Sequence, residues 1–174
     1  EERVVEEGAH TRASFRTDSA PVAITDGGQP APARLSAGMA ECNRVLGGGI
    51  VPHSVVLIGG EPGVGKSTLL MEVAGILAKN GRKVLYYSGE ESGVQIKVRA
   101  NRLGVHSPNI HLLTMGTLED LESGAEHVKP DYLIIDSIQT LYSEKGPAIS
   151  GSISSMRYVT SRVVELAKNN DITV

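Results

Sequence analysis

Residues Gly60, Glu61, Pro62, Gly63, Val64, Gly65, Lys66 and Ser67 carry the complete spacing G-x-x-x-x-G-K-[ST]. Glycines at these places let the backbone curl so that successive N–H groups point inward at an anion, and the positive end of a following helix reinforces them. Lys66 adds a full charge suited to the β and γ phosphates of a nucleotide. Ser67 offers a hydroxyl to Mg²⁺, a cation that keeps several waters and needs only one or two protein oxygens. Thr68 either faces the same phosphates or packs. A glycine turn ahead of a lysine-bearing helix could produce these letters by chance, but an apolar run before them and an amphipathic run after them favour a phosphate cradle. The expected ligand is ATP or ADP with Mg²⁺.

Hydrolysis of such a ligand also needs an acid on the metal side and a group that orients the attacking water. Tyr132-Leu133-Ile134-Ile135-Asp136 is an apolar strand ending in a carboxylate, which puts Asp136 at the carboxyl edge of a sheet, where folds of this kind bind ligands. The alternative for Asp136 is a turn or cap residue. Glu90 and Glu91 follow the strand-like Val84-Leu85-Tyr86-Tyr87 and so belong to the same edge. Ser88-x-x-Glu91 has the spacing of a capping box, which gives Glu91 a structural explanation and leaves Glu90 as the expected water-orienting base.

The elements that must position these groups are legible in the hydrophobic periodicity. A short helix is expected over 39–46, closed by Gly47-Gly48-Gly49, then a strand over 53–59 whose run Val55-Val56-Leu57-Ile58 reads as buried on both faces. Helices are expected over 66–80, 92–103, 118–128 and 156–169, and strands over 83–88, 110–114 and 132–136, with a further strand opening at Ile172. Alternation of this kind implies an α/β fold, a mostly parallel sheet with helices on both faces. Residues 1–34 are polar and broken by Asp26-Gly27-Gly28 and Pro30-Ala31-Pro32, so they read as a linker or loose arm, with Val4-Val5 and Val22-Ala23-Ile24 short enough for edge strands. Residues 35–174 form the expected core, cut off within its last strand. The opening Glu1, where an initiator Met would stand, points the same way, to a piece of a longer chain.

Composition narrows the function further. With 40% apolar residues the 174-residue chain can build one real core. A net charge of −3 supplies no overall basic field for nucleic acid, so binding there must be local or built by assembly. Cys42 stands alone and the five histidines lack ligand spacing, which excludes an internal disulfide and a cysteine zinc site and suits a reducing cytoplasm. No run approaches the roughly 20 apolar residues of a membrane span.

Four blocks taken together carry a family resemblance: Arg44-Val45-Leu46-Gly47-Gly48-Gly49-Ile50, Glu61 to Thr68, Tyr87-Ser88-Gly89-Glu90-Glu91-Ser92, and Leu133-Ile134-Ile135-Asp136-Ser137-Ile138-Gln139-Thr140. From Leu35 onward the sequence resembles the bacterial RadA (Sms) family of RecA-like P-loop ATPases. The first two blocks are shared with many RecA-like proteins, including the KaiC group, and the last two are closer to RadA. The resemblance implies a hexameric ring that hydrolyses ATP and moves along single-stranded DNA to extend branched recombination intermediates, with a recombinase as partner. It assigns Lys66 and Ser67 to nucleotide and Mg²⁺, Glu90 to the catalytic glutamate and Asp136 to the Walker B acid. The family's four-cysteine zinc ribbon, Lys-Asn-Arg-Phe-Gly motif and Lon-protease-like domain have no counterpart in this sequence. Turnover and ring assembly by this chain are therefore left open.

In RecA-like proteins the segment after the Walker B strand forms a DNA-contacting loop. Here that is 143–156, rich in Ser and Gly, with Lys145 inside it and Arg157 beyond. N–H groups and hydroxyls of such a loop can hold a nucleic-acid backbone without reading bases, and the lack of aromatic residues there argues against stacking. The basic run 95–102 reads as a solvated helix face, with Arg99 or Arg102 near a nucleotide or neighbouring subunit as the sharper reading. Two alternatives to a DNA motor stay open: a KaiC-like assembly or signalling ATPase, and a nucleotide-binding module without turnover.

Overall fold

The computed structural model describes residues 33–147 and 152–174. The arm read over 1–34, with its two short apolar runs, lies outside them except for residues 33 and 34. Helix α1 spans Ala40–Val45, α2 Lys66–Lys79, α3 Gly93–Arg102, α4 Leu118–Val128 and α5 Ile153–Asn169; strand β1 spans Val84–Ser88, β2 Ile110–Thr114 and β3 Tyr132–Asp136. The strands form a parallel sheet in the order β2-β1-β3.

Side-chain parity divides the strands between two layers of helix. Val84, Tyr86, Tyr132 and Ile134 pack with Met71, Ala74 and Leu77 of α2 and Ile96 of α3. Leu85, Tyr87 and Leu133 turn the other way, against Leu121 and Ala125 of α4 and Val159 and Val163 of α5. Successive residues of a strand point to opposite faces, so an apolar strand with helices on both sides buries every position. All five residues of β1 are buried. Each large aliphatic side chain removed from water in this way contributes about 1.5–3 kcal/mol. The sheet with helices on both faces is thus the α/β architecture expected.

Local capping explains most helix starts. Ser92 accepts a hydrogen bond from the Gln95 N–H while the Gln95 side chain accepts one from the Ser92 N–H, a capping box that begins α3. Thr117 and Asp120 do the same for α4. The last helix begins at Ile153 rather than 156, because the Ser152 hydroxyl accepts from the Ser155 N–H at 3.2 Å and caps a turn that the apolar periodicity alone does not reveal.

The strand expected over 53–59 is the main correction. Residues 172–174 lie between β3 and this segment: Leu133 N–H donates to Thr173 O at 2.9 Å, Val174 N–H to Ser54 O at 2.9 Å, and Val56 N–H to Val174 O at 2.8 Å. That strip reaches only as far as Val56, so residues 57–59 have no ladder partner among the described residues and no regular strand forms. Leu57 is 84% exposed. A continuous apolar run becomes a buried strand only where neighbours pair with it on both sides, and the sequence pattern reports the first condition without the second.

Candidate functional site

The phosphate-loop motif lies exposed between residue 59 and α2. Gly63 and Gly65 have φ of 78° and 102°, a left-handed backbone that disfavours a side chain, and Gly65 is the residue that turns the loop into α2. The Lys66 ammonium folds back over the loop, donating to the carbonyls of Gly60 and Glu61, each at 2.8 Å. Both are bonds to carbonyl oxygens, which a phosphate oxygen can replace.

Parallel pairing brings the acids to the same edge. Ser88 stands opposite Asp136 in the ladder, so the turn after β1 and the residues after β3 leave the sheet side by side. Gly89 N–H donates to Asp136 O at 3.2 Å, and the Ser137 hydroxyl donates to Glu90 Oε1 at 3.2 Å. A side chain at position 89 would run into Thr140, so glycine is required for this approach. The Ser67 hydroxyl, in the first turn of α2, donates to Asp136 Oδ1 at 3.0 Å. The structure therefore brings together the loop, Ser67, Asp136 and Glu90, the groups singled out from sequence.

The second oxygen of Asp136 is also engaged. Tyr86 OH donates to Oδ2 at 2.9 Å, and Arg99 Nη2 lies 3.7 Å from the same oxygen and 3.3 Å from the Tyr86 hydroxyl. Burial, and then the Asp136 charge beside it, push the Tyr86 phenol far above its usual range, so it stays a neutral donor. Arg99 Nη1 meets Glu91 Oε2 at 2.5 Å. Glu91 is thus not the cap of α3, contrary to the Ser88-x-x-Glu91 spacing. Only half of that pattern exists, the Ser88 hydroxyl accepting from the Glu91 N–H at 3.2 Å, because the helix starts four residues later on Ser92 and Gln95.

Arg99 likewise does not belong to a solvated face. Its side chain is 10% exposed, whereas Lys97 and Arg102 are in solvent. The signal was present in the sequence: Ile96, Arg99, Ala100 and Leu103 fall at the spacing of a single helical stripe, and its other three members are in or against the core. A cation on an otherwise apolar stripe needs a buried anion, and Asp136 and Glu91 supply it.

Beyond Asp136 the chain is tied down again. Ser143 Oγ donates to Glu119 Oε1 at 2.6 Å, the Glu144 N–H to Glu119 Oε2 at 3.3 Å, and the Leu118 N–H to Tyr142 O at 2.7 Å. Burial raises the Glu119 pKa, but the Ser143 hydroxyl and surrounding backbone N–H groups outweigh it and hold the carboxyl below its usual range. Lys145 is exposed. The middle of the expected DNA-contacting loop, 148–151, lies outside the described residues.

A Mg²⁺ ion with a nucleotide fits the residues present. Hard oxygen donors, one hydroxyl and one carboxylate, converge where the loop meets the sheet; these two residues would hold the cation, which would draw its other oxygens from phosphate and water. No cluster of three or more His, Cys, Asp or Glu able to form a dedicated metal cage occurs among the described residues. No helix among them is long and apolar enough to cross a membrane.

Comparison with known proteins supplies the family. The family model described as an AAA domain matches residues 29–174. The DNA repair protein RadA of Streptococcus pyogenes serotype M1 is 46% identical over 173 residues, 99% of this chain and 38% of the relative. RadA of Bacillus subtilis (strain 168) is 40% identical over 178 residues, 100% of this chain and 39% of the relative. RadA of Listeria monocytogenes is 46% identical over 141 residues, 81% of this chain and 31% of the relative. The chain thus spans two fifths or less of the length of these relatives. With the parallel sheet, the loop and the strand-end acid in one place, the chain belongs to the AAA domain family and is RadA-like, with the RecA-like α/β P-loop fold.

Proposed function

We propose that residues 35–174 are the ATPase core of a DNA repair protein. ATP is gripped by the backbone of residues 60–68 and the Lys66 ammonium, and Ser67 and Asp136 hold the nucleotide's Mg²⁺. The single observation that carries this reading is the 3.0 Å hydrogen bond from Ser67 to Asp136, which joins the helix after the phosphate loop to the acid at the end of β3. When bound, Mg²⁺ neutralises charge that develops on the phosphates. Lys66 exchanges its two carbonyl partners for phosphate oxygens. Glu90, exposed at the sheet edge beside Ser137, orients the attacking water and accepts its proton. Asp136, already fixed by two hydroxyl donors, presents its carboxylate without further reorganisation.

In the longer protein this core drives a single-stranded-DNA-stimulated helicase, assembled as a hexameric ring in the cytoplasm, that acts on branched recombination intermediates with a recombinase. Residues 143–156 supply the DNA contact. The name of the RadA relatives as DNA repair proteins and the exposed Lys145 support that assignment. Because the net charge is −3, the chain alone holds single-stranded DNA weakly.

Lys66→Ala tests the core reading directly. Loss of charge-assisted bonds to phosphate is expected to weaken ATP binding by about tenfold or more, measured by titration of a fluorescent ATP analogue. Unchanged affinity would remove the reading. A second reading, nucleotide binding without turnover, is favoured by one observation: residues 55–58, which lead into the loop, are exposed and, among the described residues, held through one backbone hydrogen bond, from Val56. Multiple turnover of ATP by the chain, abolished in Glu90→Gln, excludes it.

A further inference from the structure

The acid at the end of β3 is held by more than the nucleotide reading requires. Tyr86, Ser88 and Asp136 share strand parity, so all three side chains rise on the α2/α3 face. Asp136 and Arg99 have side chains 15% and 10% exposed, and Glu91, on the far side of Arg99, is 34% exposed. Charges removed from water to this degree survive only when paired and hydrogen-bonded. The resulting chain runs Glu91, Arg99, Asp136, with the Tyr86 hydroxyl bonded to both Asp136 and Arg99. Its members come from β1, the turn after β1, α3 and β3, so it ties three elements together at the one edge where the phosphate loop arrives.

The two oxygens of Asp136 are consequently not equivalent. Oδ2 is occupied from behind by a phenol and a guanidinium, while among the described residues Oδ1 is bonded to the Ser67 hydroxyl alone. We propose that Tyr86 and Arg99 are positioning residues that fix the Asp136 carboxylate through Oδ2 and present Oδ1 to the cation of the bound nucleotide. Glu91 is the counter-anion that holds Arg99 in place, and so has a different task from its neighbour Glu90. The inference rests on the reading that Ser67 and Asp136 serve a nucleotide-bound Mg²⁺. It adds that the affinity gained from Mg²⁺ depends on two side chains that touch neither nucleotide nor cation.

Fluorescent ATP analogue titrations of the 174-residue chain, with Mg²⁺ and with EDTA, separate the two effects. Tyr86→Phe keeps the buried ring and removes only the hydroxyl; Arg99→Lys keeps the charge and removes the planar fork. Both are expected to leave affinity in EDTA within about twofold and to cut the Mg²⁺-dependent gain by about fivefold to tenfold, the scale of one ordinary hydrogen bond. Lys66→Ala serves as the reference, losing affinity in both media. If Lys66→Ala binds like the parent, the nucleotide site itself is wrong and the proposal falls with it. If Lys66→Ala loses binding while Tyr86→Phe and Arg99→Lys keep the full Mg²⁺ gain, the nucleotide site stands and the positioning role is overturned. Tyr86→Phe that fails to fold, by thermal melt, also overturns it, because the hydroxyl would then serve the fold rather than the cation.

Discussion

Residues 55–65 and the corner formed by β1, α3 and β3 face each other across the candidate site and are built in opposite ways. The corner is buried and cross-linked: Tyr86, Asp136, Arg99 and Glu91 are mutually engaged before any ligand arrives. The loop side is exposed, and the hydrogen bonds of Lys66 are to its own loop. Acid geometry is thus set by packing, whereas the phosphate side has weak tertiary support and keeps its donors free to exchange. For the proposed nucleotide site, buried paired charge is concentrated on the acid side, and the loop side carries few tertiary hydrogen bonds.

Substitutions that treat the two sides alike should give unlike results. The largest expected effect is Arg99→Ala, which leaves Asp136 and Glu91 without their cation; loss of one partner from a buried pair costs about 3–5 kcal/mol, seen as a lowered midpoint in urea unfolding. Leu133→Ala, at a side chain 1% exposed in β3, is expected to cost about 2–5 kcal/mol. Leu57→Ala, at one 84% exposed, should stay within about 0.5 kcal/mol. Equal costs for those two leucines would break the comparison. Next comes Thr117→Ala, which removes the cap of α4 and should cost about 1 kcal/mol, read as a modest drop in melting temperature by circular dichroism.

The smallest expected effect is a pH dependence. The Thr117 N–H and hydroxyl hold Asp120 below its usual carboxylate range, and Glu119 is lowered as well. A carboxyl whose folded pKa lies below its unfolded value stabilises fully above the unfolded value, about 4, and loses that contribution as pH falls through the folded one. Melting temperature should therefore be insensitive to these groups from pH 7 to about 5 and decline below about 4; Thr117→Ala should flatten the decline.

Most of the fold was legible because its signals are local. Strands at 110–114 and 132–136 and the helix at 118–128 follow from apolar period and flanking breakers, and the structure gives those same bounds. The run 55–58 misled because burial on both faces is a property of neighbours, and the neighbouring strip reaches only to Val56. At the site, spacing was enough for the loop and for Asp136, since a strand's end and a helix's start lie at fixed places in a parallel sheet. The burial of Arg99 against Asp136 stood only as the second of two readings because a basic run was read by composition. Its helical stripe, shared with Ile96 and Leu103, held the answer. Tyr86 could not be singled out at all: within an apolar strand, only the partner across the sheet distinguishes a packed ring from a hydrogen-bond donor.

The register of β1 on β3 has a consequence for folding itself. A slip of one residue would turn Asp136 to the opposite face, among Leu121, Leu141 and Val159, where a carboxylate would find no cation. Mispairing of two runs as uniformly apolar as Val84-Leu85-Tyr86-Tyr87 and Leu133-Ile134-Ile135 would otherwise cost little, since either face accepts either parity. Asp136→Leu should accordingly broaden or double the amide resonances of β3. The acid proposed above to face a cation also proofreads the sheet.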